Sequence, residues 1–230
     1  RKAARGQADF FLGPSSPSLS AVAAAVSNAT GALAMMFGAA PPAVYEQGFR
    51  AVFSMDVPAP DHMAHTLGVC RSRGARTVAL VCEASALYAA VCGGAQDHAR
   101  RLGLTVVERV TLDEEGITSQ VRRLKAAGPD VLVGCGQFRV AVQLVVSARA
   151  LSFNPQALVL SIGSTGAFIH SVGASNVNYI MSPVPWGPYL NFSCRVFGST
   201  GGFVDAYYKR WREAPTHLSA AAAAAGIALL

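Results

Sequence analysis

The sequence is poor in charged residues and has no cysteine or histidine spacing typical of a metal site. Charged residues make up 14% of its 230 positions and hydrophobic residues 52%, which excludes a disordered chain. The five cysteines form no CxxC pair, and the five histidines add no zinc-ligand pattern, so no metal is predicted. The last twelve residues, Ser219 to Leu230, are apolar but too short to span a bilayer. The chain is therefore expected to be globular, with a sizeable core.

The basic residues are too scattered to predict a nucleic-acid surface. Lysine and arginine number 19 against 13 acidic residues, which gives a net charge of +6. The densest basic group, Arg71, Arg73 and Arg76, is interrupted by small residues, whereas a nucleic-acid site needs clustered charge and stacking aromatics. The stretch Gly134-Cys135-Gly136 lacks the third glycine of a dinucleotide fingerprint, so no cofactor is predicted.

The sequence does not decide which cysteines are free thiols and which form disulfides. Because their number is odd, at least one thiol is free if every disulfide is internal. Most of the five lie in apolar segments, at positions 70, 82, 92, 135 and 194, so buried thiols are expected.

Apolar segments of strand length alternate with segments of helical periodicity along most of the sequence. The run TVALVC at 77–82 predicts a buried strand, and Ile117, Val121 and Leu124 predict the apolar face of a helix that Gly128 ends. This order predicts parallel sheets covered by helices on both faces. Strands are predicted at 10–12, 32–37, 51–55, 77–82, 104–110, 131–133, 158–162 and 179–181, and helices at 18–30, 58–73, 89–102, 117–127, 140–151, 168–172, 203–211 and 218–230.

The middle of the chain contains a complete set of strand–helix units, whereas the flanks do not. We therefore predict that residues 1–57 and 183–230 belong to an N-terminal lobe and that residues 58–182 form a C-terminal lobe. The proline-rich stretch 183–188 is predicted to be a crossover, because its prolines cannot occupy a central strand.

Two loops of small and hydroxylated residues follow predicted strands near the N-terminus. They are Gly13-Pro14-Ser15-Ser16 and Gly38-Ala39-Ala40. In a parallel sheet such loops lie at the carboxyl ends of the strands, where ligands bind, and the N–H groups at a helix start can bind an anion. Neither loop carries an acid, a base or a nucleophile triad. The predicted site therefore holds a small polar molecule without transforming it.

Four segments of the chain carry a resemblance to a known family: FFLGPSSPSLSAVAAAV, LAMMFGAAPPAV with FRAVFSM following, the long run from Arg73 to Gly136, and FVDAYYKRWREAPTHLSAAAAAAG. In order, spacing and character they resemble the type I periplasmic binding proteins, specifically the leucine/isoleucine/valine-binding branch. The resemblance implies an α/β fold class, with two Rossmann-like lobes whose parallel sheets are joined by crossover strands and which close on a ligand. The family's first strands and its C-terminal end are expected to lie outside this sequence.

The resemblance also implies a set of ligand-binding residues. Ser15 and Ser16 would bind a carboxylate, and the loop Gly38, Ala39 and Ala40 would add backbone contacts. The further positions are Tyr88, an aromatic residue over the ligand, Gln137 and Phe138, where the family usually has a tyrosine, and Ser161. Trp186 is a further candidate, as a ring that lines the cleft, and does not rest on the resemblance.

Each of these residues also has a structural interpretation. Ser15 and Ser16 are suitable turn and helix-capping residues. Tyr88 is equally consistent with a core aromatic residue, and Trp186 with simple packing between the predicted lobes.

Besides Gln137 and Phe138, the chain departs from the family pattern at two further places. Ala40 stands where the family often has threonine, and LSIGSTG at 160–166 contains no acid where the family commonly supplies one for the ligand's ammonium group. A buried ammonium without an anion is costly. We therefore expect carboxylates or amides to bind better than amino acids, and the ligand class stays open between an amino acid, an amide and an organic acid.

Three functional classes compete on these grounds. The first is a leucine-binding-protein-like domain that captures a small polar solute for transport or sensing, and the second is the ectodomain of a membrane receptor such as a receptor-type cyclase. The third, an α/β enzyme, has the least support because no catalytic group is located. Expected partners are a small-molecule ligand and a membrane transporter or fused signalling domain, with a dimer as an alternative. The expected location is extracellular or periplasmic, with any membrane tether outside this sequence.

Overall fold

A computed structural model describes residues 8–38, 41–112 and 116–230 of the chain. The chain forms two compact units, of which unit 1 comprises Arg1–Pro58 with Val184–Leu230 and unit 2 comprises Ala59–Pro183. That these units are the two lobes of a binding protein stays a prediction at this stage.

Unit 1 combines a small parallel sheet with three helices and a two-stranded ribbon. Its elements are β1 (Phe10–Leu12), α1 (Pro17–Thr30), β2 (Leu33–Met36), β3 (Val52–Ser54), β9 (Ser193–Cys194), β10 (Gly198–Ser199), α7 (Thr200–Trp211) and α8 (His217–Ile227). The sheet has the order β1-β2-β3 with all strands parallel, and β9 pairs with β10 in antiparallel fashion. The carboxyl ends of the three parallel strands therefore lie at one edge.

Small residues hold α1 close to this sheet. Ala24 of α1 and Ala34 of β2 are fully buried in a core cluster with Met36. Ser27 is also buried, and its hydroxyl donates to the carbonyl groups of Ala32 (2.7 Å) and Ala51 (3.2 Å). These bonds satisfy the buried hydroxyl and connect the end of α1 to the starts of β2 and β3.

Unit 2 contains a five-stranded sheet with helices. Its elements are β4 (Thr77–Cys82), β5 (Thr105–Thr111), β6 (Val131–Cys135), β7 (Ala157–Leu160), β8 (Ile180–Met181), α2 (Ala64–Ser72), α3 (Ala86–Arg101), α4 (Ile117–Ala127), α5 (Phe138–Ala150) and α6 (Gly166–Val172). The strand order is β5-β4-β6-β7-β8, and every pair is parallel. Because β6 lies beside β4, segments more than 50 positions apart in the sequence meet at the ends of these strands.

Continuous apolar runs form the centre of this sheet. All five residues of β6 are buried, as are five of the six in β4, which is typical of parallel strands covered on both faces. Asp130, just before β6, accepts hydrogen bonds from the backbone N–H groups of Arg76 (2.8 Å) and Thr77 (3.0 Å). This carboxylate thereby holds the amino ends of β4 and β6 together.

Several predicted helices differ in their bounds from the observed ones, and the helices predicted at 58–73 and 89–102 differ for identifiable reasons. Instead of a continuous helix over 58–73, a short 3-10 turn at Ala59–Asp61 precedes α2, because Pro60 lacks an N–H donor and its carbonyl packs against Gly94, where a Cβ would overlap it. The helix predicted from residue 89 begins three residues earlier, at Ala86, because the hydroxyl of Ser85 accepts a bond from the backbone N–H of Tyr88 at 3.4 Å.

Two further features of the structure were not predicted. Gln120 of α4 is buried, and its amide donates to the Thr111 carbonyl at 3.3 Å. The ribbon formed by β9 and β10 was not predicted, since each strand has only two residues. No helix within the described residues has both the length and the apolarity needed to cross a membrane.

The expectation of buried thiols is wrong for two of the five cysteines. Cys82, at the end of β4, and Cys92, in α3, form a disulfide between positions ten apart in the sequence. Cys70 and Cys135 are free and buried, and Cys194 is free and partly exposed. Spacing alone did not indicate the bridge, because it depends on how α3 packs against β4.

Candidate functional site

The two N-terminal loops of unit 1 lie against each other at the carboxyl edge of its sheet. Gly38, which follows β2, is buried, and a Cβ at this position would overlap the backbone of Ser15. Gly13 donates its N–H to the Met35 carbonyl at 2.9 Å, and the ring of Phe37 is 3.2 Å from the position of a Cβ on Gly13. The structure therefore brings Ser15 and Gly38 together. The predicted site residues Ala39 and Ala40 lie outside the described residues.

The two serines of the first loop have different environments. Ser16 is the N-cap residue of α1, yet its side chain makes no capping bond to the helix backbone. Its hydroxyl is instead 3.0 Å from the hydroxyl of Ser18 at the surface. Ser15 is exposed. The side-chain capping interpretation therefore does not account for Ser16.

A pocket of about 410 Å³ lies at the carboxyl ends of β2 and β3, also within unit 1. The rings of Phe37, Trp186 and Phe203 line it on several sides, and alanines of α8 leave room because they have no long side chains. The predicted site residue Trp186 makes an edge-to-face contact with Phe203 at 5.7 Å between ring centroids. Its ring therefore both packs in unit 1 and forms a wall of the pocket.

The pocket lining also includes an aspartate and a histidine that sequence analysis did not select. Asp56, just after β3, and His217, at the start of α8, both contribute to its lining. The Asp56 carboxylate accepts a bond from the backbone N–H of Val57 at 2.8 Å. A mostly apolar pocket with a few polar groups is the usual character of a small-molecule site.

In unit 2, residues from three different strand ends meet at the carboxyl edge of the sheet. Glu83 directly follows β4, Gln137 lies just after β6, and Ser161 directly follows β7. The Glu83 carboxylate accepts two bonds from Gln137, one from its backbone N–H and one from its side-chain amide, both at 2.7 Å. The Ser161 hydroxyl donates to the Gly136 carbonyl (2.7 Å) and accepts from the Gly136 N–H (3.0 Å).

Tyr88 lies in the first turn of α3, beside this group. Burial raises the pKa of its phenol to about 12, and the negative charge of Glu83 contributes in the same direction. The phenol is therefore protonated at neutral pH and can donate a hydrogen bond. Its intermediate exposure means that it is not a fully buried core residue.

The remaining predicted residue of this unit, Phe138, is the first residue of α5 and is 37% exposed. Its ring makes an edge-to-face contact with Phe168 at 6.4 Å, which fixes its orientation at this edge of the sheet. The structure thus gathers Tyr88, Gln137 and Ser161 at one edge, with Phe138 following directly on Gln137.

Glu83 is the member of this group that sequence analysis missed. The only available signal was an acidic residue directly after a buried strand, and its relation to Gln137, 54 positions away, depends on β4 and β6 being neighbours. The expectation that no acid lies near Ser161 was based on the segment 160–166 alone. It did not take account of Glu83, which follows a different strand.

The nucleophilic side chains at the unit 2 edge are a buried thiol and two hydroxyls. Cys135, the nearest free thiol at the end of β6, is fully buried, and burial raises its pKa to about 12, so it is not a thiolate at neutral pH. In the part of the chain that the structure describes, neither the Ser161 nor the Tyr88 hydroxyl is hydrogen-bonded to a base. No three histidine, cysteine or acidic side chains among the described residues could hold a metal ion together.

Solved structures of similar fold come from solute-binding proteins. A leucine-binding protein from Thermotoga maritima has a TM-score of 0.84 and 18% identity, over 99% of this chain and 65% of its own. A leucine-, isoleucine-, valine-, threonine- and alanine-binding protein from Brucella ovis has a TM-score of 0.82 and 16% identity, over 97% of this chain and 59% of its own. An ABC transporter solute-binding protein from R. palustris, in complex with 4-hydroxybenzoate, has a TM-score of 0.76 and 14% identity, over 98% of this chain and 61% of its own.

These comparisons confirm the predicted fold class. The chain spans less than two thirds of the length of each of these proteins. No curated protein matches the sequence significantly. A family model described as "Periplasmic binding protein" matches residues 1–230, and the chain therefore belongs to the periplasmic binding protein family.

Proposed function

We propose that the chain binds a small polar solute and releases it unchanged. The observation that supports this most directly is the group of Glu83, Tyr88, Gln137 and Ser161, which presents hydrogen-bonding side chains at the carboxyl edge of a parallel sheet. Its carboxylate and serine bond to amide and backbone groups, an arrangement that orients polar atoms for a ligand and generates no nucleophile. The family is one of binding proteins, and membership implies a periplasmic or extracellular location.

Residues of each unit are proposed to contribute to binding. In unit 1, Ser15 and Ser16 would bind the anionic end of the solute, with backbone contacts from Gly38, Ala39 and Ala40. The ring of Phe37 adjoins this loop and also lines the apolar pocket, so a solute with a short apolar body fits this unit. A volume of about 410 Å³ lies within the range of about 300–1,000 Å³ of typical small-molecule sites. In unit 2, Tyr88, Gln137, Phe138 and Ser161 are the proposed binding residues.

The solute is proposed to be delivered to a membrane transporter. Support comes from the neighbours of similar fold, several of which are named as ABC transporter solute-binding proteins. The ligands named with those proteins include leucine, isoleucine, benzoate and 4-hydroxybenzoate, all of which combine a carboxylate with an apolar body.

A thermal-shift screen of the purified full-length protein tests the binding function. The panel contains amino acids, their keto acids, short organic acids, amides and substituted benzoates. A solute present at 100 times its Kd stabilises the folded protein by about 2.7 kcal/mol, which raises the melting temperature by several degrees. A folded protein whose melting temperature responds to no member of the panel would contradict the proposal.

Calorimetry on a serine variant then tests the assignment of the first loop. The double substitution Ser15→Ala with Ser16→Ala should weaken the best ligand at least tenfold, about 1.4 kcal/mol. The matched control is Ser72→Ala, which removes an exposed hydroxyl bonded only to the Val69 carbonyl within α2 and should leave affinity unchanged. Equal affinity of the double variant and the wild type would remove these serines from the site.

A further inference from the structure

Glu83 is an acidic residue held in a fixed position, with no cationic partner among the described residues. Both of its carboxylate oxygens accept hydrogen bonds at 2.7 Å, and both donors belong to Gln137, which is neutral. None of the ion pairs among the described residues includes Glu83. Because a carboxylate offers about four acceptor sites, two are left for further donors.

The surroundings of this carboxylate are suited to a ligand. The residue is of intermediate exposure, so a solute can reach its carboxylate. Oε2 would be 3.1 Å from a Cβ on Gly136, so the absence of a side chain there lets the backbone after β6 approach the carboxylate closely. The phenol of Tyr88 is near enough for the charge of Glu83 to raise its pKa.

The side-chain amide of Gln137 marks the direction of approach for a nitrogen donor. Its Nε2 donates to Oε1 of Glu83 at 2.7 Å, which is the geometry of a nitrogen-to-carboxylate hydrogen bond. A ligand ammonium in place of this neutral amide would form a charge-assisted bond, which is roughly twice as strong. The Gln137 side chain is able to leave because its backbone N–H keeps a separate bond to Oε2.

We propose that Glu83 is the specificity-determining anion of the ligand site and selects solutes that carry a positively charged nitrogen. Gln137 holds the carboxylate in place and yields one acceptor position to that nitrogen. This inference rests on the proposed function, since it names the ligand class of the same site. It reverses the expectation, drawn from residues 160–166 alone, that carboxylates or amides bind better than amino acids.

Asp56 is the competing acid, because it also follows a strand and lines the pocket of unit 1. Its carboxylate accepts a bond from the adjacent residue's N–H, and the imidazole of His217 lines the same pocket. Glu83 is favoured because two donors of Gln137, which follows a different strand, fix its orientation, and no basic side chain is paired with it among the described residues.

The experiment compares ligand pairs that differ in one cationic nitrogen. The first pair is L-leucine with 4-methyl-2-oxopentanoate, and the second is 4-(aminomethyl)benzoate with 4-methylbenzoate. Calorimetry on the full-length protein gives the ratio of the two Kd values in each pair, and melting curves verify that each variant is folded. The ratio of Kd values reports the effect of the ligand's positive charge, because a general distortion of the site weakens the binding of both members of a pair alike.

For the wild type, the ammonium-bearing member of at least one pair should bind more tightly. Glu83→Gln keeps the size and hydrogen-bonding capacity of the side chain and should reduce this preference at least tenfold. The control variant Glu108→Gln, which removes a carboxylate of unit 2 that is paired with Arg123 at 2.8 Å, should leave it unchanged. A second variant, Asp56→Asn, tests the competing acid and should reduce the preference less than Glu83→Gln does.

Each outcome decides between the two proposals. A wild type that binds neither member of either pair contradicts the inference, and one that also binds nothing else in the wider panel contradicts the proposed function too. A wild type that prefers the members without the ammonium group retains the proposed function but overturns the role of Glu83. A change of less than tenfold in Glu83→Gln, or a comparable loss of preference in Asp56→Asn, likewise overturns the assignment.

Discussion

Reducing the disulfide between Cys82 and Cys92 should destabilise unit 2 measurably. The bridge joins the end of β4 to α3 across a sequence separation of 10, and the closed loop carries both Glu83 and Tyr88. A loop of this length lowers the conformational entropy of the unfolded chain enough to stabilise the folded state by about 3 kcal/mol. Since whole proteins are stable by about 5–15 kcal/mol, this is a large share of the total.

Thermal unfolding with and without a reducing agent measures this effect. For a chain of this size, about 3 kcal/mol corresponds to a decrease of roughly 6–12 °C in the melting temperature. Alkylation of the unfolded protein followed by mass spectrometry counts the thiols independently. Three should react without reductant, at positions 70, 135 and 194, and all five should react after reduction.

The control is the double variant Cys82→Ala with Cys92→Ala, whose melting temperature should not respond to the reductant. Five reactive thiols in the unreduced wild type would refute the pairing itself. Three thiols with a loss below about 1 kcal/mol on reduction would refute the loop-entropy reasoning, which predicts about 3 kcal/mol.

Three other substitutions test the packing and electrostatics of the two units by chemical denaturation. Gly38→Ala should cost about 1–3 kcal/mol because its Cβ overlaps the backbone of Ser15, whereas Gly226→Ala in α8, which has open space around it, should be neutral or slightly stabilising. Leu144→Ala should cost about 2–5 kcal/mol because this fully buried side chain lies in the core of unit 2, and a cost below 1 kcal/mol would contradict that position. Asp130→Asn should cost about 1 kcal/mol at pH 7. Backbone hydrogen bonds, first from Arg76, lower the pKa of Asp130, so its contribution is present above the unfolded value of about 3.9 and lost as the pH falls through the folded value. The difference between this variant and the wild type should therefore shrink below about pH 4, and a difference that persists at pH 2 would contradict the role of the charge.

Local sequence signals identified the elements best where they were continuous and clearly bounded. The strand at 77–82 and the helix at 117–127 have the predicted bounds, since one is an uninterrupted apolar run and the other ends at Gly128, which adopts a left-handed conformation. Prediction failed where a contact with another segment decided the outcome. The break before α2 follows from the packing of Pro60 against Gly94, which no local pattern reveals.

The residues of the candidate site also differ in whether the local sequence could identify them. Ser15, Ser16 and Gly38 could be selected because glycine and serine loops after apolar strands are a local signal. Glu83 of unit 2 could not be selected from the sequence, because single acidic residues after strands are common and do not by themselves indicate a site. Glu83 becomes informative only beside Gln137, whose N–H and amide groups both bond to it.

The sequence by itself determined the class of structure: the alternation of apolar runs and amphipathic helices requires parallel sheets with helical cover, and the small loops at strand ends predict where a ligand binds. Only the tertiary structure decided which side chains meet there. The strand order places β4 beside β6, which joins Glu83 to Gln137, and the packing of α3 brings Cys92 to Cys82. The physical reason is that periodicity and turn propensity act between near neighbours in the chain, whereas strand order and side-chain pairing are set by the packing free energy of each unit as a whole.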